Sequence, residues 1–125
     1  MPDIEPIDTF VGSLKIGVRR LRHSGAARSA RLDVYTDYLM FTPFGMLRGI
    51  FKDLTLRKVD ITRINPSTTV ISRYESVIFE NPVLPFSEGE CIYFHPRGAR
   101  VVDVLNALES ARYPVDRRPR QSQFL

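Results

Sequence analysis

At 125 residues the chain has the length of one ordinary domain, enough for a single core and too short for two. A content of 43% hydrophobic, 10% aromatic and 26% charged residues excludes the disordered and fibrous classes and describes a folded globular protein. The net charge of +4 is unevenly spread: residues 9–32 carry Lys15, Arg19, Arg20, Arg22, Arg28 and Arg31 with no acid, and Arg112, Arg117, Arg118 and Arg120 crowd the C-terminal segment against Asp116 alone.

No window approaches the roughly 18 apolar residues that span a bilayer, and the start Met1-Pro2-Asp3-Ile4-Glu5 lacks the basic opening of a secretory signal. The expected location is cytoplasmic, with attachment to a membrane only at its periphery. Cys91 is the sole cysteine, so no disulfide forms within the chain, in keeping with a reducing compartment.

In chain order, Phe10 to Arg22 opens with Leu14, Ile16 and Val18 at a period of two, which predicts a strand running into the small-residue loop His23-Ser24-Gly25-Ala26-Ala27. Leu32 and Val34, then Leu39 and Phe41, alternate on either side of Thr36-Asp37 and predict a tight β-hairpin. Leu54 and Leu56 share one parity while Val59 and Ile61 share the other, so a bulge or strand junction is expected near Arg57-Lys58. Asn65-Pro66-Ser67 reads as a turn into Thr68 to Ser72. Val77-Ile78-Phe79 and Cys91-Ile92-Tyr93-Phe94 read as short strands, separated by a proline-interrupted loop from Asn81 to Gly89. From Arg97 to Arg112 the period becomes helical: Val101, Val104, Leu105, Leu108 and Ala111 form one face and Arg100, Asp103, Asn106 and Glu109 the other. Pro96 suits the first turn of that helix, with His95 at its start, and Pro114 ends it. The expected organisation is an N-terminal segment 1–9, a domain 10–113 and a basic, disordered tail 114–125.

Several short strands followed by one helix with a single apolar stripe define a mainly β barrel or sandwich plugged at one end by a C-terminal α-helix. The hairpin Leu32 to Phe41, the segment Val59-Asp60-Ile61-Thr62-Arg63-Ile64 and the final order of strand Cys91 to Phe94 and then helix resemble the pleckstrin-homology-like superfold, in particular its bacterial and GRAM-like members. The resemblance covers residues 10–112 in pattern. It implies a non-enzymatic binding module in which basic residues of the first hairpin, a lysine followed by an Arg-x-Arg pair, hold inositol phosphates. Arg20-Leu21-Arg22 supplies the Arg-x-Arg, whereas the spacing from Lys15 is shorter than the family pattern and no aromatic follows. The Arg-x-x-x-Arg and Asp/Asn-x-Ser-x-x-Gly of cyclic-dinucleotide-binding PilZ domains are absent.

The candidate anion or partner site is therefore Lys15, Arg19, Arg20, Arg22, Arg28 and Arg31, weighed against a merely solvated basic face. Phe44, Met46, Leu47, Ile50 and Phe51 make an unusually apolar connection flanked by cations, which either anchors to a membrane or partner or serves as ordinary core. No nucleophile elbow, Walker loop, Gly-x-Gly-x-x-Gly or His-Glu-x-x-His is present, and Cys91 with His95 falls short of a four-ligand zinc site, so neither catalysis, metal nor cofactor is expected. The leading expectation is binding to an anionic lipid surface or an acidic protein. The alternatives are a homo-oligomeric scaffold packing through residues 44–51, and non-specific nucleic-acid binding through both basic blocks, against which stands the lack of aromatics between Lys15 and Arg31.

Overall fold

The structure, a computed structural model, describes residues 5–16, 28–44, 53–68, 75–81 and 91–121. Its elements are β1 (Asp8–Ile16), β2 (Arg28–Val34), β3 (Tyr38–Pro43), β4 (Leu54–Arg57), β5 (Arg63–Thr68), β6 (Glu75–Glu80), β7 (Cys91–Arg97), α1 (Val101–Ser110) and β8 (Arg120–Gln121). They form one sheet in the order β4-β3-β2-β1-β7-β6-β5-β8, antiparallel at every pair except β5 with β8. The seven antiparallel strands curl into a half-barrel, and α1 closes it against β5, β6 and β7.

The predicted hairpin is present, with Val34 opposite Leu39 and the Tyr35 N–H donating to the Tyr38 carbonyl at 3.0 Å, so that Thr36 and Asp37 sit exposed at the turn. Its alternating Leu32, Val34, Leu39 and Phe41 are fully buried, and Phe41 meets Phe79 edge to face at 5.4 Å and Phe94 at 5.8 Å between ring centroids. Edge-to-face rings set the positive edge of one against the negative face of the other, about 0.5–1.5 kcal/mol beyond their burial. Gly12 passes so close to β7 that a Cβ there would stand 2.2 Å from the His95 carbonyl oxygen, which leaves room only for hydrogen.

The helix buries Val101, Val104, Leu105 and Leu108, four of the five residues of the predicted stripe, and the fifth, Ala111, packs partly buried against the same core. At its N-terminus the Asp103 carboxylate accepts the Arg100 N–H at 2.9 Å and pairs with the Arg100 guanidinium, and that backbone hydrogen bond first holds the carboxyl below its ordinary range. At its C-terminus Arg112 adopts φ 66°, its N–H donates to the Glu109 carbonyl, and the Tyr113 N–H donates to Leu108. This is a Schellman closure with a side-chain-bearing residue where glycine is the usual occupant. Lys58 satisfies the Ala111 carbonyl at 2.7 Å while lying over the Tyr113 ring, and the Tyr113 hydroxyl donates to the Tyr35 carbonyl at 2.6 Å.

Two expectations are corrected and one is refined. The parity change near Arg57-Lys58 is a junction, but the next element is a 3-10 turn, Lys58–Asp60, with Val59 77% exposed and only Ile61 turned inward. β4 and β5 run in the same direction at opposite ends of the antiparallel run, so the chain crosses over here instead of extending a strand. Asn65-Pro66-Ser67 is no turn; it lies inside β5, opposite Ile78, Val77 and Ser76. His95 and Pro96 belong to β7 rather than to the helix, because β1 holds β7 extended to Arg97, three residues past its last pairing with β6. The segment after Tyr113, in turn, runs along β5 as far as Gln121: Val115 bridges Ile64, and β8 pairs with Ser67 and Thr68. The Thr68 to Ser72 strand and the loop after Asn81 fall outside the described residues beyond Thr68 and Asn81.

Candidate functional site

Strand directions sort the connections. Leu14 faces Arg28, Ala30 faces Pro43, Ile16 faces Ile92 and Glu80 faces Cys91, so the β1–β2, β3–β4 and β6–β7 connections all leave from one end of the strands. The β2–β3 turn and α1 lie at the other end, tied together by the Tyr113 hydroxyl. Lys15 and Arg28 stand at the root of the β1–β2 connection, and Phe44, 38% exposed, is fastened at the same end by its N–H to the Ser29 carbonyl at 3.2 Å. The fold thus brings the roots of the basic and the apolar segments together. Arg19, Arg20, Arg22, Met46, Leu47, Ile50 and Phe51, and the side chains of Lys15 and Arg28, lie outside the described residues.

Arg31 sits further down β2 and is engaged. Its Nε donates to Asp33 at 3.1 Å, and buried Asp33 also accepts the Thr9 hydroxyl at 2.9 Å. Two of the C-terminal bases are likewise offset: Arg117 reaches Glu109 at 2.9 Å and Asn106 at 2.8 Å, while Arg118 clasps Asp116 through Nε and Nη2. That clasp, with the Arg118 N–H on the same carboxylate, holds Asp116 far below the usual carboxylate range. Cys91 and His95 are four residues apart on an extended strand, about 13 Å at 3.3 Å per residue, too far to share one metal ion.

A second site, which the sequence did not disclose, lies at the β5 edge. Ile64 points into the core, so Arg63, Asn65 and Ser67 point to the outer face, where Asn65 is 3% and Ser67 1% exposed. These three residues contribute the buried polar atoms without a hydrogen-bond partner among the described residues: Arg63 Nε, Asn65 Oδ1 and Ser67 Oγ. The Ile64 N–H and carbonyl bond to Pro114 and Asp116, so the position of the N–H that Pro66 lacks also faces the C-terminal segment. No bond to β6 is lost, and Asn65 Nδ2 instead donates to the Asp116 and Arg118 carbonyls at 3.2 Å each. Two accepting carbonyls fix the amide nitrogen there and leave Oδ1 as an unmet acceptor.

The pairing here is mismatched in length. Ile64 to Ser67 spans three residues, while their partners Val115 and Arg120 are five apart, so the C-terminal segment bows outward. Beneath the bow is a cavity of about 270 Å³ lined by Arg63, Asn65, Asp116, Arg118 and Pro119. Arg63 also pairs with Glu80 at 3.6 Å. The cavity therefore offers a donor and an acceptor side by side, with little net charge.

No family model matches the chain, and no curated protein matches its sequence. Solved structures do match. The C-terminal domain of an unknown protein from Leishmania infantum superimposes with a TM-score of 0.62 at 12% identity, over 86% of this chain and 84% of that one. The Vps36 N-terminal PH domain gives 0.58 at 17% identity, over 86% and 77%. The Spt16D Pob3N heterodimer gives 0.54 at 13% identity, over 94% of this chain and 56% of that chain. The fold is pleckstrin-homology-like, a curled antiparallel sheet of seven strands with one C-terminal helix.

Proposed function

We propose that the chain is a non-enzymatic binding module that docks on an anionic surface, of a membrane or of an acidic protein partner, through the strand end opposite α1. The observation that carries this reading is the shared exit of the β1–β2 and β3–β4 connections, which puts the basic residues Lys15, Arg19, Arg20, Arg22 and Arg28 on segments rooted beside Phe44 and the apolar stretch after it. Each Lys or Arg near an anionic leaflet contributes about 1 kcal/mol, and an apolar segment beside such a cluster adds insertion to attraction. Arg31 contributes least, since Asp33 already offsets its charge. In this reading the protein works in the cytoplasm, at the periphery of a membrane. Among the described residues no helix is long and apolar enough to cross one.

The test is co-sedimentation with phosphatidylserine-containing and purely neutral vesicles over a salt series. Preferential, salt-sensitive retention on the anionic vesicles, lost when Arg19, Arg20 and Arg22 are changed to Ala together, supports the membrane form. Absence of that retention, with salt-sensitive capture on an acidic polypeptide matrix, moves the reading to a protein partner; absence of both discards it.

A further inference from the structure

We propose that the outer edge of β5 is an acceptor site for an extended peptide segment, and that the chain's own residues 116–121 are a displaceable strap across it. The chemistry of the cavity defines the ligand. Asn65 Oδ1 needs a donor and Arg63 Nε an acceptor, both at buried atoms beside one another. A phosphate or carboxylate supplies acceptors alone and would leave Oδ1 unmet, whereas an amide supplies an N–H and a C=O together. An amide group carried by an extended chain satisfies both, and leaving such atoms unpaired costs free energy that a ligand recovers on binding.

The resident segment fits poorly at this place. Its two surplus residues make it bow between its pairings with Ile64 and Ser67, where only the Asn65 amide reaches the Asp116 and Arg118 carbonyls, and the cavity lies at this bow. What holds the bow is the Asn65 amide together with ion pairs of exposed arginines, and Arg118 is 83% exposed in its side chain. Exposed pairs of this kind are weak. Upstream the chain is anchored firmly, with Tyr113 buried in the core and Val115 packed partly against it. The strap is thus free to leave from Asp116 onward without disturbing the helix. While closed it lowers the apparent affinity of any competing peptide by the fraction of time the edge is covered.

The experiment compares two blocked synthetic peptides: one repeats residues 114–121, and the other lacks Arg118 and Pro119, so that its span from Val115 to Arg120 matches Ile64 to Ser67. Each is titrated into the full 15N-labelled chain and into its Arg118→Ala variant, in which the clasp on Asp116 is gone. The expected result is perturbation of the β5 amides and the Asn65 side-chain amide, several-fold tighter for the shortened peptide and several-fold tighter again in the variant. Equal affinity of the two peptides, perturbation elsewhere only, or none at millimolar peptide in either protein overturns the proposal. The vesicle assay reads the segments rooted at β1–β2 and β3–β4, whereas the peptide titration reads the β5 amides on the far side of the sheet, so each proposal can fail while the other stands.

Discussion

The inner face of β5, β6 and β7 and the centre of their outer face are both buried, yet they are built from different chemistry. The inner face carries Ile64, Val77, Phe79, Ile92 and Phe94 in one continuous apolar cluster, while the outer carries Asn65, Ser67, Ile78 and Tyr93, with Ile78 and Tyr93 forming a separate small cluster. All three buried polar atoms left unpartnered among the described residues belong to the outer face of β5. An interior selected for stability alone pairs its polar groups or dispenses with them. The inner face holds the fold together, and the outer one keeps hydrogen-bonding capacity in reserve.

That contrast is open to test, beginning with the inner face. Phe79→Ala removes a fully buried ring from between Phe41 and the helix-side core, and chemical denaturation is expected to show a loss of about 3–5 kcal/mol. Gly12→Ala pushes a methyl group against the backbone of β7 and the Phe94 ring, and a loss of about 1–3 kcal/mol is expected from the same measurement. A loss below 1 kcal/mol at Phe79 would erase the distinction between the faces.

Substitutions on the outer face should behave otherwise. Asn65→Val gives up two hydrogen bonds to the C-terminal segment, about 1–2 kcal/mol, and hydrogen exchange should quicken at residues 116–121 while β6 and β7 stay protected. Ser67→Ala deletes a buried hydroxyl that has no partner among the described residues, so stability should hold or rise by up to about 1 kcal/mol, the reverse of the usual effect in a core. Acid should act least. Asp116 and Asp103 have carboxyls lowered by Arg118 and Arg100, so their contribution is fully present above the ordinary aspartate value of about 4 and is lost only as pH falls below it. Amide shifts of residues 116–118 should accordingly stay constant from pH 7 to about 5 and move only below about 4. Burial raises the Tyr113 phenol, and its contribution is kept up to about pH 10 and lost above.

The contrast between the faces also explains what could be read in advance. The hairpin around Thr36-Asp37 and the α1 stripe were legible because a period of two and a period of 3.6 are written in consecutive residues. Pro66 misled because a proline inside a strand is harmless when its missing N–H faces an edge, and which strand lies at an edge is a property of the assembled sheet. Pro96 misled for a related reason: the length of β1, not the local sequence, keeps β7 extended through it. The segment after Pro114 reads as polar and unanchored, and nothing in its composition announces a partner fifty residues earlier in the chain.

The sequence by itself determined the class of fold, the inner-face residues of the β2–β3 hairpin, the helix that closes one end and the concentration of bases between Lys15 and Arg31, because each rests on local periodicity or on counting. Only the tertiary structure decided that three connections leave from one end, that Arg31 is spent on Asp33, and that Arg63 and Asn65 line a cavity with the chain's own C-terminal segment. Those outcomes depend on strand order and register, where one residue of shift exchanges the faces, and on contacts between residues far apart in the chain.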